Sequence, residues 1–351
     1  MNHHDLWLQM FLQTAPIKTQ FIQYLQANPG KDPISCLKLW LKRCKAVNPD
    51  EITYLMAWCA EDGQGLIPFP SLPLTLKSIG DPPVLLFYQG ASMILDYNML
   101  AVVGSRKPSP AGMENTDYFV RHFNHPRLAI ISGLAQGIDT LAHKAAITAK
   151  LATVAVLGCG LNQCYPKANR FLQAEIRDKG LLLSEFHPNE GVKAWHFPKR
   201  NRLISGLSEG ILVVEAAMKS GSLTTAKLAA EQGRQVMAVP GDIHNPMVQG
   251  CHLLIREGAL MVTSPAEVTE AIAWLDVKSE TKHSAVELLN QQEKRLLKVL
   301  DRSPKLVDDI IHYSGMELAL VLDLLFSLEL RGIIVSSIDG YYKPSRGQID
   351  L

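Results

Sequence analysis

The sequence predicts an α/β protein. Its centre should be a Rossmann-like doubly wound, mostly parallel sheet, with a small N-terminal helical domain and a C-terminal winged helix. Three observations carry this. Seven short runs rich in β-branched residues recur between residues 99 and 263: MLAVVG, LAIISG, ATVAVLG, LLLSE, ILVVEA, QVMAVPG and ALMVT. They are continuously apolar rather than alternating, which means burial on both faces. Helical stretches separate them, as parallel βαβ units require.

Taken in order, residues 1–66 read as short amphipathic helices: LWLQMFLQ, TQFIQYLQ, CLKLWLKR and ITYLMAWCA. They break at Asn28-Pro29-Gly30 and Asn48-Pro49, and Lys plus Arg equal Asp plus Glu, six against six. A proline-rich connector follows (IPFPSLPLTL, then IGDPPVLLFYQG), whose prolines favour extended chain. The sheet domain is assigned to 67–276. A polar linker, DVKSETKHSA, leads to 285–346, where three helical patterns precede two strands around Asp339-Gly340. That order reads as a winged helix.

The bulk numbers narrow the function classes. With 351 residues, 47% of them hydrophobic, the chain can bury a large core, and no apolar run is long enough to span a membrane. The N-terminus lacks a signal-peptide pattern. Six cysteines are scattered without CxxC pairing or histidines at zinc spacing, so they read as core residues in a reducing compartment, with no metal expected. A cytoplasmic location follows. A net charge of +1 argues against a broad nucleic-acid-coating surface but allows a local basic groove.

FPKRNRLISGLSEGILVVEA (197–216) concentrates Lys199, Arg200 and Arg202 at the start of a short amphipathic helix, ahead of a strand from Gly210 to Glu215. Leu203, Ile204 and Leu207 share one side of the wheel; Asn201, Arg202, Ser205 and Ser208 lie opposite. Arg200 leans toward the core, whereas Asn201 and Arg202 should face solvent or ligand. Cations are disfavoured at a helix N-terminus, so an anion should stand nearby, either a structural carboxylate or a bound phosphate.

Ligands of doubly wound sheets bind beyond the carboxyl ends of the strands. The loops there carry Ser105-Arg106, GLAQGIDTLAH (133–143), GCG (158–160), Glu185, Glu215 with SGSLTTA, and PGD (240–242). Each has a plain structural reading. Ser220-Gly221-Ser222 can be an N-cap as readily as a phosphate site, and Asp139, Glu185 and Glu215 can pair with arginines in the rim. His143 reads as a hydrogen-bonding residue on a helix face. No GxxxxGK[ST], HExxH or GxSxG occurs, and GCGLNQ lacks the third glycine of a dinucleotide fingerprint. What remains is an anion-binding rim without evident catalytic machinery.

The ordered set GSR (104–106), SGLAQGID with His143, AVLGCGLNQCYP, SE (184–185), FPKRNRLISGLS, VVEA with SGSLTTA, and AVPG resembles the DprA (Smf) family of DNA-processing proteins. IGDPPVLLFYQG before these motifs and LIREGA (254–259) after them also fit. The N-terminal helices resemble the family's SAM-like domain only loosely, and residues 285–346 resemble its accessory winged helix. The resemblance implies a single-stranded DNA-binding recombination mediator that protects incoming DNA and loads a RecA-type recombinase during natural transformation. It implies a homodimer, no cofactor and no enzymatic activity, with a single-strand-binding protein as a further candidate partner. Carried over by motif, the DNA contacts fall on Ser105, Arg106, Phe197, Arg200, Asn201 and Arg202. Lys199 and Lys193 are additional candidates, and Gly133, Gly221 and Ser222 are candidate phosphate-loop positions. Two positions depart from the family: ITAKLATVAV lacks a frequent glycine, and Ala111 stands where tyrosine is frequent.

Two rivals come from other classes. SGSLTTAKLAAEQG distantly resembles the nucleotide-binding loop of cytokinin-activating phosphoribohydrolases, but the paired glycines are missing and Ala226 and Ala229 stand near where a catalytic acid is needed. A duplex-reading winged helix is disfavoured by charge. Residues 285–351 hold eight Lys plus Arg and ten Asp plus Glu, a net of −2, too few cations for phosphate neutralisation. Protein contact or self-association suits that domain better.

Overall fold

The computed structural model describes residues 3–123, 125–272, 291–300, 305–330, 334–337 and 340–342. Two compact units divide the chain, Met1–Val277 and Lys278–Leu351. The polar linker DVKSETKHSA lies outside the described residues.

The first unit opens with α1 (His3–Phe11), α2 (Ala15–Ala27), α3 (Pro33–Leu41) and α4 (Pro49–Cys59). The breaks expected from sequence are chemical stops. Asn48 accepts a hydrogen bond from the Asp50 amide at 3.0 Å, with Pro49 at the first helical position. Asp32 does the same for the Ser35 amide at 2.8 Å. The inward faces do not form a core of their own. Trp7, Phe21, Leu37 and Trp58 join one hydrophobic cluster with Leu85, Leu86 and Phe87 of the sheet, where Phe11 and Trp58 meet Phe87 edge-on at 5.1 and 5.6 Å.

The chain continues through β1 (Gln64–Pro68), α5 (Leu74–Lys77), β2 (Leu85–Gly90), β3 (Asn98–Gly104), α6 (Pro110–His122), β4 (Leu128–Ser132), α7 (Ile138–Thr148) and β5 (Ala152–Val156). Then come α8 (Arg170–Lys179), β6 (Leu181–Ser184), α9 (His196–Leu207), β7 (Gly210–Glu215), α10 (Gly221–Glu231), β8 (Gln235–Ala238), α11 (Gln249–Arg256), β9 (Leu260–Met261) and α12 (Pro265–Ala271). All seven apolar runs are strands. They form one nine-stranded sheet, β1-β2-β6-β5-β4-β3-β7-β8-β9, parallel from β6 to β9.

The connector, read as extended, holds the end of β1 and all of β2, which pair antiparallel with each other and, through β2, with β6, and it departs from extended chain in the short helix α5. Proline is tolerated there because Pro68 ends the strand at the sheet's edge.

The alternation of side chains explains why the strands read as continuously apolar. Leu100 and Val102 of β3 pack on one face with Phe119, Val120, Ile138 and Ala142 of α6 and α7. Met99, Ala101 and Val103 pack on the other with Leu203, Ile204 and Leu207 of α9 and Leu223 and Ala226 of α10. Helices cover both faces, as a doubly wound sheet requires.

The second unit contains α13 (Gln291–Val299), α14 (Val307–Ser314), α15 (Leu318–Leu330), β10 (Val335–Ser337) and β11 (Gly340–Tyr342). Leu296, Ile310, Val321, Leu325 and Leu328 form its core, and the two strands pair as a hairpin. The expected winged-helix order of three helices and a hairpin is present.

Candidate nucleic-acid interface

The order of the parallel strands reverses between β3 and β7. The chain leaves β3 toward β4 on one side and leaves β7 toward β8 on the other. Beyond the carboxyl ends of that pair lies a cleft of about 780 Å³, where a doubly wound sheet is expected to open. Four segments wall it: Gly104–Lys107 after β3, Ala135 and Asp139 after β4, Phe197, Arg200 and Asn201 of α9, and Lys219–Ser222 before α10.

Buried polar groups hold these loops. Asp139 accepts from the amides of Gly133 and Ala135 at 3.1 and 3.3 Å. Arg200 is buried, and its Nη1 donates to the carbonyl of Gly133 at 2.7 Å and to that of Val156. The loops after β4 and β5 are thereby tied to α9. Burial pulls the Arg200 guanidinium down to about 10 although Asp139 opposes the shift, and burial raises the Asp139 carboxyl despite Arg200 and the two amides. A Cβ at Gly133 would stand 2.5 Å from the guanidinium. Gly137 has φ +79°, and a Cβ there would meet the Ser105 carbonyl oxygen at 2.2 Å. Only glycine lets the two loops approach so closely.

The cations of α9 divide differently from the helical-wheel expectation. Arg200 faces inward as predicted. Arg202 does not face solvent: it is buried, its Nη2 donating to both Glu185 oxygens at 2.6 Å and its Nε lying 3.2 Å from Asp81. Ser205 and Ser208, placed on the polar side of the wheel, are fully buried as well. The second side of α9 is covered by the segment carrying Asp81 and by the end of β6, which a wheel drawn for a solvent-facing helix does not include. Lys199 lies 3.3 Å from Glu185, and Lys193 lies 2.5 Å from Glu190. For these three cations the expected anion is a structural carboxylate.

Arg106 is different. It is exposed, has no carboxylate partner among the described residues, and lies over the Phe197 ring at 5.9 Å. Phe197 is half-buried against Gly158 and pairs with Tyr165 at 5.4 Å. Asn201 lines the cleft, its Oδ1 accepting from Arg200 Nε at 3.2 Å. Ser105 is buried, and its hydroxyl accepts from the Lys107 amide at 3.1 Å, ordering the turn that projects Arg106. Gly221 and Ser222 line the opposite wall, where the Ser220 hydroxyl caps α10. The Gly133 amide is already committed to Asp139.

Lys107, Lys219 and Tyr165 also line the cleft and were missed from sequence. Lys107 directly follows GSR and Tyr165 sits inside GCGLNQCYP, so adjacency to those motifs was the available signal. His143 of α7 makes a buried hydrogen bond: its Nδ1 is 2.7 Å from the Thr153 hydroxyl of β5, and burial with the nearby Arg200 charge pulls it down to about 3. The cleft can therefore bind anions and offer aromatic faces. Asp139 is spent on loop amides, and burial pushes the Cys159 thiol up to about 11, far from a thiolate nucleophile.

Comparison with known proteins matches both units of the chain to one family. The family model described as DNA recombination-mediator protein A matches residues 67–273, and one described as DprA winged helix domain matches 280–340. The chain is similar to DNA processing protein DprA of Streptococcus pneumoniae, 48% identical over 56% of this chain and 69% of that protein. It is similar to protein Smf of Escherichia coli, 39% identical over 83% of this chain and 80% of that protein. The X-ray structure of the S. pneumoniae protein superposes with a TM-score of 0.66 at 34% identity, covering 77% of this chain and 98% of that one. A structure of DNA processing protein A from Helicobacter pylori, described for its single-stranded DNA binding mode, gives 0.54 at 26%, covering 60% and 95%.

Proposed function

The chain belongs to the DNA recombination-mediator protein A (DprA/Smf) family, and on that premise we propose that its switch-point cleft holds the backbone of single-stranded DNA. The observation that carries this reading is the set of exposed cations left without carboxylates around the cleft. Arg106, Lys107 and Lys219 have none among the described residues, whereas Lys199 and Arg202 of α9 are paired with Glu185 and Arg200 is buried against backbone carbonyls. Unneutralised cations and the amino end of α10 suit phosphates, and Phe197 with Tyr165 suits unstacked bases.

Within this reading the candidate residues divide by role. Arg106, Phe197 and Asn201 contact the strand, with Gly221 and Ser222 on the facing wall. Lys193 and Lys199 are rim cations whose carboxylates compete with DNA. Ser105, Gly133, Arg200 and Arg202 hold the loops that shape the cleft. The protein binds and hands over DNA without a chemical step, protecting incoming strands and loading a RecA-type recombinase during natural transformation. It does so in the cytoplasm as a homodimer, alongside single-strand-binding protein. The three-part organisation, 1–66, 67–276 and 285–346, belongs to the same proposal. For the winged helix, exposed Leu318, Leu322 and Phe326 at helical spacing on α15 support protein contact over duplex reading.

The test is competition: a labelled oligothymidylate bound to the full chain, displaced by unlabelled single strands or by duplex of equal length. Single strands should displace it at far lower concentration. Equal displacement by duplex overturns the reading.

A further inference from the structure

The cleft has two ways out, and charge distinguishes them. Toward α9 three cations meet carboxylates, Lys193 with Glu190 and Lys199 and Arg202 with Glu185 and Asp81, while Arg200 is buried against the Gly133 and Val156 carbonyls. On the opposite side, past the end of β5, Lys167 and Arg170 are exposed and have no carboxylate partner among the described residues. A polyanion leaving the cleft is drawn to the unneutralised side.

That side is also continuous with the cleft. Tyr165, 44% exposed, lines both the cleft and the small pocket beside it, and its ring pairs with Phe197. Four residues on, the chain is pinned to the loop and helix after β4. Asn169 is buried and its Nδ2 donates to the Leu134 carbonyl at 3.0 Å and to the Thr140 hydroxyl at 2.8 Å. The next two residues are Arg170 and Phe171. Phe171 is 73% exposed, with the Arg170 guanidinium over its ring at 4.4 Å. Leu172 and Gln173 turn inward, so α8 presents the ring and the guanidinium together on its outer surface. An isolated exposed phenylalanine needs no explanation. Here it follows, six residues along the chain, the Tyr165 ring that pairs with Phe197, and the cations of the same segment, Lys167 and Arg170, like Arg106, have no carboxylate partner among the described residues. Base-stacking platforms beside a phosphate track have that composition.

We propose that the strand leaves the cleft over Tyr165 and is held a second time at the start of α8, by stacking on Phe171 and by phosphate contacts to Lys167 and Arg170. This rests on the single-stranded DNA reading of the cleft and extends it. Strands too short to leave the cleft do not use the second platform; longer ones do.

The experiment measures binding of two oligothymidylates, about 4 and about 16 nucleotides long, to the full chain over a salt series. The variants are Phe171→Ala, Arg170→Ala, Phe171→Trp and Arg106→Ala. Phe171→Ala should weaken the long strand about tenfold and leave the short one unchanged. Arg170→Ala should flatten the log-affinity against log-salt slope by about 0.7 for the long strand alone. Phe171→Trp should bind normally, with tryptophan emission that the long strand quenches and the short one does not. These three side chains are on the surface, and an unchanged thermal melt confirms folding. If Arg106→Ala weakens both strands while the α8 variants weaken neither and Phe171→Trp is not quenched, the exit path is overturned and the cleft reading stands. If Arg106→Ala changes neither strand, the cleft reading itself falls.

Discussion

Arg106 and Arg202 carry the same charge, and the surroundings give them opposite work. Arg106 projects from an ordered turn with no carboxylate partner among the described residues, so Arg106→Ala should weaken single-strand binding uniformly across sequences and leave the melting temperature unchanged. Arg202 closes a buried ion pair, and its removal leaves the largely buried Glu185 with only the longer contact to Lys199 at 3.3 Å. Arg202→Ala should therefore lower stability by about 3 kcal/mol in urea unfolding, with binding lost only as folding is lost. His143 gives a prediction in pH. Its folded-state value lies near 3, below the unfolded value near 6.5. The unfolded chain thus binds the extra proton first, and the stability contributed by the neutral ring is complete above pH 6.5 and falls as pH drops toward 3. Asp139 has the opposite sign, because its value, raised by burial, makes the folded state take up the proton before the unfolded chain does as pH falls. Unfolding of wild type and His143→Gln compared between pH 6.5 and 5 separates the two. The wild type should lose more stability on acidification, and parallel curves would contradict the assignment.

At the scale of elements, the loops after β3 and β4 work because glycine lets them touch. Gly137→Ala would place a Cβ on the Ser105 carbonyl at a positive φ, and Gly133→Ala would press on a guanidinium fixed by two carbonyls. Each should cost about 1–3 kcal/mol, read as a lowered denaturation midpoint, and should weaken DNA binding by moving Arg106 or Arg200. Had both glycines only served turn flexibility, alanine would leave binding intact. These elements also show what the sequence could disclose. The seven parallel strands were legible because burial on both faces leaves a continuous apolar run. β1 was hidden by Pro68, whose cost vanishes at the sheet edge, and β2 by the prolines just before it, Pro82 and Pro83. The amphipathic pattern of α9 located the helix and the inward Arg200. It misplaced Arg202 because Asp81 and Glu185, distant in sequence, supply a second covered side. Tyr165 and Lys107 carried no periodic signal, and only the assembled cleft brings them beside Arg106.

Across the whole molecule, two compact units divide the labour. The winged-helix unit has a net negative charge and an exposed apolar stripe on α15, so removing residues 277–351 should leave affinity for short single strands within about tenfold of wild type. A larger loss would place DNA contacts in that unit. If the protein pairs as proposed, two copies of the cleft on one strand would add avidity, so affinity should rise with strand length more steeply in wild type than in a monomeric variant. The central claim is that the cleft neutralises phosphates with cations the fold leaves unpaired. It is tested most directly by the salt dependence of single-strand affinity for wild type, Arg106→Ala and Arg202→Ala, with melting temperature recorded for each. The account predicts a slope flattened by about 0.7 for Arg106→Ala at unchanged melting temperature, and for Arg202→Ala an unchanged slope at a lowered one. An unchanged slope for well-folded Arg106→Ala, or a flattened slope for well-folded Arg202→Ala, would contradict it.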